Sequence, residues 1–260
     1  MKTVILAGGY GTRISEESHL KPKPMVEIGG KPILWHIMKL YSTCGANDFI
    51  ICCGYMQHVI KEYFANYFLH NSDITFDFRN GQNHMIVHNE HTEMWRVSVI
   101  DTGLDTMTGG RIRRIAPYLD DEPFFLTYGD GVSDVNLNEL YEFHKKQGGL
   151  LTMTCVHPKS RYGNLDILPD GKVRSFREKN KTDVGWINGG FMVLDPGIMR
   201  YLKDDSTVFE REPIERCAAE GQMNAYCHEG FWQCMDTLRE KEMLERLWAS
   251  GEAPWKTWKD

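Results

Sequence analysis

No apolar run in these 260 residues reaches the length needed to cross a bilayer, and the N-terminus opens on a strand-like Thr3-Val4-Ile5-Leu6 instead of a basic, apolar leader. A soluble, cytoplasmic protein with no membrane partner is expected. Long Lys/Arg runs are missing as well, and 36 acidic against 30 basic residues leave a formal charge of −6. That balance argues against nucleic acid as a partner, because a phosphate backbone calls for a basic face. The seven cysteines contain no C-x-x-C pair and are odd in number, so most are read as small core residues of a reducing compartment. Linkers, internal repeats and low-complexity stretches are also lacking. With 42% hydrophobic residues, a chain of this length buries one large α/β core or just reaches two domains. The reading adopted is one domain over 1–260.

What is present is organised around residues 4–25. The run Val4-Ile5-Leu6 is apolar without alternation, which suits a strand buried on both faces of a parallel sheet. It ends in Gly8, Gly9 and Gly11, which let the backbone turn sharply and bring its N–H groups close to a phosphate. Arg13 follows, and Lys21 and Lys23 lie on a stiff Lys-Pro-Lys-Pro segment. A guanidinium forks onto two oxygens and a lysine delivers a point charge, so together they match a polyphosphate. Two familiar glycine fingerprints fail. Ile14 stands where a dinucleotide fold needs its third glycine, and no Gly-Lys-Ser/Thr follows for a Walker loop.

Further along, Pro32 opens a helix striped by Ile33, Leu34, Ile37, Leu40 and Tyr41, and Gly45 ends it. Residues 49–53 read as a second buried strand and Val59 to Tyr67 as a second helix. The alternation winds a parallel sheet. Residues 71–100 are less regular, with an Asn80-Gly81 turn signal. Val97 to Ile100 is another strand. A helix is expected from Thr108 through Ile112, Ile115 and Leu119, then a central strand 124–128 ending at Gly129-Asp130-Gly131. In the second half Pro169-Asp170-Gly171 marks a hairpin, Asp195-Pro196 starts a helix, and the last helix carries Leu244, Leu247 and Trp248. The fold class expected is α/β, a Rossmann-like, mixed but mainly parallel sheet flanked by helices.

Chemistry on a polyphosphate needs a hard divalent ion, and Mg²⁺ takes one or two carboxylates while phosphates and water fill its other positions. Asp130 lies between two glycines at a strand end, where it could approach a phosphate or simply make a turn. Asp236 is the natural second ligand. It could instead belong to a helix cap, since Thr237 and Glu240 have capping-box spacing. Both can hold if Thr237 caps while Asp236 faces the ion. His84, His88 and His91 have a metal-like spacing on a helix, but Met85-Ile86-Val87 reads as extended. Trp255 and Trp258 could anchor the tail or a subunit contact.

The order Gly8 to Arg13, Lys21-Pro22-Lys23-Pro24-Met25, MTGGR at 107–111, TYGDGV at 127–132, INGGF at 187–191 and FWQ-x-MDTLR at 231–239 resembles the sugar-phosphate nucleotidyltransferases over nearly the whole chain. Tyr10, Ile14 and Cys234 depart from the residues expected at their places. The resemblance implies transfer of a nucleotidyl group from a nucleoside triphosphate to a sugar 1-phosphate, with Mg²⁺ shared by Asp130 and Asp236. It is closest to members using CTP and glucose 1-phosphate. It implies Arg13, Lys23 and Asp130 as catalytic residues. Leu6, Ala7, Gly8, Gly9, Tyr10, Gly11, Thr12, Thr106, Arg111 and Gly129 join Arg13 and Lys23 around the nucleotide. Gly163, Glu178, Lys179, Asn188 and Gly189 are placed around the sugar phosphate, with Asn180 where the family pattern has proline. A homo-oligomer, possibly of six subunits, is also implied. Because cytosine offers acceptors at O2 and N3, Arg111 is the residue expected to favour it, unless it is an arginine on the surface of a helix start. The same chemistry with UTP or dTTP, and a catalytically silent nucleotide-sensing domain, stay open. A sugar 1-phosphate is already anionic, so the reaction requires no general base and no catalytic triad is sought.

Overall fold

Five of the six residues of Lys2–Ala7, strand β1, are buried, as a run without polar alternation requires. A computed structural model describes residues 1–11, 21–79, 84–90, 92–157, 164–167, 173–177 and 185–259. After β1 come the short pair β2 (Glu27–Ile28) and β3 (Lys31–Pro32), then helix α1 (Ile33–Ser42) and β4 (Asp48–Cys53). The next elements are α2 (Gln57–Ala65), α3 (Tyr67–His70), β5 (Ser72–Asp77), β6 (His84–Glu90), β7 (Arg96–Asp101), α4 (Thr108–Arg114) and β8 (Phe124–Tyr128). The second half holds β9 (Gly131–Ser133), α5 (Leu137–Gln147), β10 (Leu151–Val156), β11 (Asn164–Ile167), β12 (Val173–Arg177) and β13 (Ile187–Leu194). It ends with α6 (Glu212–Ala219), β14 (Met223–His228), β15 (Trp232–Cys234) and α7 (Leu238–Ala249).

Seven strands form one sheet in the order β14, β10, β13, β8, β1, β4, β7. Neighbours run parallel except β13, which is antiparallel to both β8 and β10. The sheet is therefore mixed and mainly parallel, as expected. From β1 the chain winds outward through β4 and β7, then returns to lay β8 on the other side of β1. That reversal is a switch point, and the loops leaving β1 and β8 open beside each other at the carboxyl ends of the strands. Ile5 and Ala7 pack on one face with α1, Phe125, Val193 and Trp255, while Val4 and Leu6 face Ile112, Leu126, Tyr201 and Phe209 on the other. Each of the fully buried Ile and Leu side chains contributes about 2 kcal/mol.

Several expected elements differ in extent. The helix after Thr108 stops at Arg114 and passes into a 3₁₀ turn over Ala116–Tyr118, because Pro117 cannot donate to the residue 113 carbonyl and would press against it. A 3₁₀ segment, Pro196–Tyr201, replaces the helix expected after Asp195. The helix through Tyr67 is interrupted at Asn66, whose side chain donates to the Glu62 carbonyl. Helices α5 and α6 were not anticipated. Strands β5 and β6 pair antiparallel, with a register shift between Asp73 and Ile74, so the His84 and His88 spacing is on a strand and not a helix. His88 contacts the Thr75 hydroxyl at 2.9 Å, and His91 lies outside the described residues. Strands β11 and β12 pair antiparallel around the expected hairpin, whose turn also lies outside them. Among the described residues no helix is long and apolar enough to cross a membrane.

The tail is anchored in the core. Trp255 is fully buried, and its indole stacks on Phe231 and Trp248. Its N–H points at Nδ1 of His36 at 3.4 Å, while Nε2 of His36 donates to the Ile28 carbonyl at 2.8 Å. Those partners suit a neutral ring, and burial pulls its pKa from 6.5 down to about 4. Between these values the unfolded chain binds a proton that the folded chain refuses, so stability falls as pH falls. Urea unfolding at pH 5 should give a free energy about 2 kcal/mol below that at pH 7 from this residue. The His36→Gln variant, less stable at both, should lose that part of the dependence.

Candidate active site

The loop after β1 is shaped from beneath by Arg111. This side chain is only 5% exposed, and its guanidinium reaches the carboxyl ends of three strands. Nη1 donates to the carbonyls of Cys53 (3.0 Å) and Gly103 (2.7 Å) and to the Thr102 hydroxyl (2.8 Å). Nη2 donates to the carbonyls of Gly8 (3.1 Å) and Leu104 (3.2 Å). Burial pulls its pKa below the usual arginine value. Glycine is required at position 8, because a Cβ there would stand 2.2 Å from the guanidinium. Arg111 is thus neither a surface residue nor an open fork. Both of its terminal nitrogens donate to protein oxygens, and the residue also lines the cleft above.

Above this base, a cleft of about 600 Å³ is lined by Leu6 to Gly11, Lys23, Thr106, Arg111, Tyr128, Gly129, Asp130 and Asp236. The Tyr10 hydroxyl donates to Asp105 at 3.0 Å, linking the glycine loop to the loop before α4. A second cavity, about 230 Å³, is lined by Tyr128, Asp130, Asn188, Gly189, Trp232, Cys234 and Asp236 among others. Tyr128, Asp130 and Asp236 belong to both.

At the junction the ammonium of Lys23 is gripped by two carboxylates, at 2.5 Å from Asp130 and 2.6 Å from Asp236. Burial works against its charge, but Asp130 leads a set of opposing influences that raise its pKa. Each carboxylate is held by its backbone. Asp130 follows β8, and its carbonyl accepts from Met235 at 2.8 Å. Asp236 precedes α7, where Thr237 and Glu240 form the capping box, and Glu240 also accepts from the Asp236 N–H at 2.8 Å. The capping box belongs to Thr237 and Glu240, as their spacing implied. A cation already seated between the two carboxylates marks the pair as a fit for a divalent ion, which takes oxygen donors of this kind.

The second cavity has its own scaffold. The Tyr128 hydroxyl donates to Glu210 at 2.7 Å and accepts from Asn188 at 3.2 Å, and the Thr108 hydroxyl donates to the other Glu210 oxygen at 2.6 Å. Burial, followed by Glu210, pushes the Tyr128 phenol far up. Trp232 donates to the Gly189 carbonyl at 2.7 Å. The structure thus brings together ten of the expected nucleotide-side positions, Asn188 and Gly189, and the acidic pair. Thr12, Arg13, Gly163, Glu178 and Lys179 lie outside the described residues. Tyr128, Glu210 and Trp232 were not foreseen. Tyr128 reads as strand interior, and Glu210 carries no motif.

The family model of the nucleotidyl transferases matches residues 2–260, and the chain belongs to that family. It is 57% identical over 259 residues to the glucose-1-phosphate cytidylyltransferases of Salmonella typhimurium (strain LT2) and Salmonella typhi, covering 99% of this chain and 100% of each of them. The crystal structure of HddC from Yersinia pseudotuberculosis superposes with a TM-score of 0.68 at 24% identity, over 95% of this chain and 99% of that one, which shows the shared fold.

Removing the guanidinium strands carbonyl oxygens inside the protein. Arg111→Met should therefore lower the unfolding free energy by on the order of 3 kcal/mol in urea titration. A loss under about 0.5 kcal/mol, the level of an ordinary surface change, would show that these bonds do not hold the loop.

Proposed function

We propose that the chain transfers CMP from CTP to α-D-glucose 1-phosphate, giving CDP-glucose and pyrophosphate, in the cytoplasm. The observation that carries this reading is the meeting of two cavities of different size at one acidic pair. The larger suits a nucleotide and the smaller a sugar phosphate, and the reacting phosphates would meet at Asp130 and Asp236. The 57% identity to proteins named glucose-1-phosphate cytidylyltransferase supports the choice of substrates. The seven unpaired thiols suit the cytoplasm. The product would feed CDP-deoxysugar and O-antigen polysaccharide synthesis.

Asp130 and Asp236 would hold Mg²⁺, which would supply neutralisation of phosphate charge. The rest is done by the chain. The anionic phosphate oxygen of the sugar forms a bond to the α-phosphorus of CTP while the bond to pyrophosphate breaks on the opposite side. No proton has to leave the nucleophile, so positioning and charge are what the protein provides. The loop from Leu6 to Gly11 and Thr106 hold the nucleotide, with Arg111 as the positioning residue beneath them. Lys23 and Arg13 offset charge on the triphosphate, and Lys179 offsets it on the sugar phosphate. Asn188, Gly189 and Glu178 receive the sugar, with Asn188 steadied through Tyr128 and Glu210.

Self-association is part of the proposal. The β5–β6 ribbon exposes Phe76, Phe78, Met85 and Ile86, an apolar group that a partner copy would cover. Sedimentation should show a multimer, with six subunits the expected count, and Phe78→Asp with Ile86→Asp should shift it to smaller species. An unchanged mass would move the contact elsewhere.

The reaction is tested by pyrophosphate release from glucose 1-phosphate with CTP, UTP, ATP, GTP and dTTP in turn, with and without Mg²⁺. Release with CTP alone, dependent on Mg²⁺, is expected, and Asp236→Asn should lower it at least about a hundredfold. Release with UTP or dTTP instead would overturn the base assignment. No release, from a folded chain that still binds nucleotide, would point to the sensing domain.

A further inference from the structure

The acidic corner contains a group for which phosphate chemistry has no use. Cys234 ends β15, which pairs antiparallel with β9 so that Cys234 stands opposite Gly131, the residue after Asp130. Two residues later comes Asp236. A carboxylate oxygen of Asp130, a carboxylate oxygen of Asp236 and the sulfur of Cys234 all lie within 4.8 Å of one another. The ammonium of Lys23 already sits among them as a cation, bonded to both carboxylates. The backbone on each side is fixed, by the Met235 N–H on the Asp130 carbonyl and by Glu240 on the N–H groups of Asp236 and Thr237. The three side chains also line the smaller cavity, so an ion can enter from solvent.

Oxygen donors alone favour a hard ion of the magnesium kind, whereas sulfur selects softer ones. Two oxygens and one sulfur on three protein side chains, with room left for water or substrate, is a donor set for a four-coordinate ion with one open position. We propose that Asp130, Cys234 and Asp236 form a three-ligand site for a thiophilic divalent cation of the zinc, cadmium or cobalt class, which competes with the magnesium-class ion for the same carboxylates. On binding, the S–H bond breaks, a metal–sulfur bond forms and the proton passes to water, with nothing oxidised or reduced. The Lys23 ammonium gives up its two carboxylate contacts. The inference deepens the proposed reaction by naming an ion class that blocks it, and rests on that reading only for where the productive ion would sit.

The test is titration of the full chain with Co²⁺, without nucleotide, while recording the near-ultraviolet sulfur-to-cobalt charge-transfer band. The band should rise in the unmodified chain and in Cys227→Ser, whose exposed thiol lies outside the cluster on β14. It should be lost in Cys234→Ser and in Cys234→Ala, with Co²⁺ affinity weaker by on the order of tenfold. A band that persists in both Cys234 variants, or none in the unmodified chain, overturns the proposal. The readout needs no turnover, so its failure and the failure of CTP-dependent pyrophosphate release are separate results.

Discussion

One ammonium between two carboxylates joins three distant parts of the chain. Lys23 comes from the segment after the glycine loop, Asp130 from the end of β8 and Asp236 from the entrance to α7, 107 and 213 residues further on. Two negative charges facing each other without a cation would repel strongly at this degree of burial. Lys23 removes most of that repulsion, and the corner still has one negative charge in excess. The arrangement is therefore stable as it stands and attractive to a more highly charged ion. The same contact that draws these three segments together also prepares them for phosphate chemistry.

Around that corner the two cavities are built on different physics. The larger rests on backbone, since glycines, carbonyls and the buried Arg111 define it. The smaller rests on a line of side chains from Thr108 through Glu210 and Tyr128 to Asn188, each hydrogen-bonded to the next. Thr108 opens α4, the helix that carries Arg111, so the two scaffolds share an element. A displacement of α4 would be felt in both places.

Much of this was legible in the sequence because it depends on local chemistry. The apolar runs at β1, β4 and β8 have no other good place than a doubly covered sheet, and glycines directly after β1 announce a loop that approaches a ligand. Asp130 and Asp236 could be picked out by their neighbours, Gly129 and Gly131 for the one and the Thr237–Glu240 cap for the other. What could not be read depends on distant partners. Arg111 looks like any cation at a helix start until β1, β4 and β7 present their carbonyl ends to it. Glu210 becomes meaningful only when Tyr128 and Thr108 arrive beside it. Helix α5 gives its start away at Asn136, whose side chain accepts from the N–H groups of residues 138 and 139, yet the segment went unread among its charged residues. The resemblance to the nucleotidyltransferases supplied positions such as Thr106 that no local pattern singles out.

Trp255 has a consequence for how the protein comes into being. Its indole completes the packing around His36, which lies 219 residues earlier. A nascent chain emerging from the ribosome has α1 available early, but the pocket around His36 stays open until that late tryptophan has been synthesised. Until then the part of α1 around His36 lacks its cover, and apolar surface left open in a growing chain is where sticking to other chains begins.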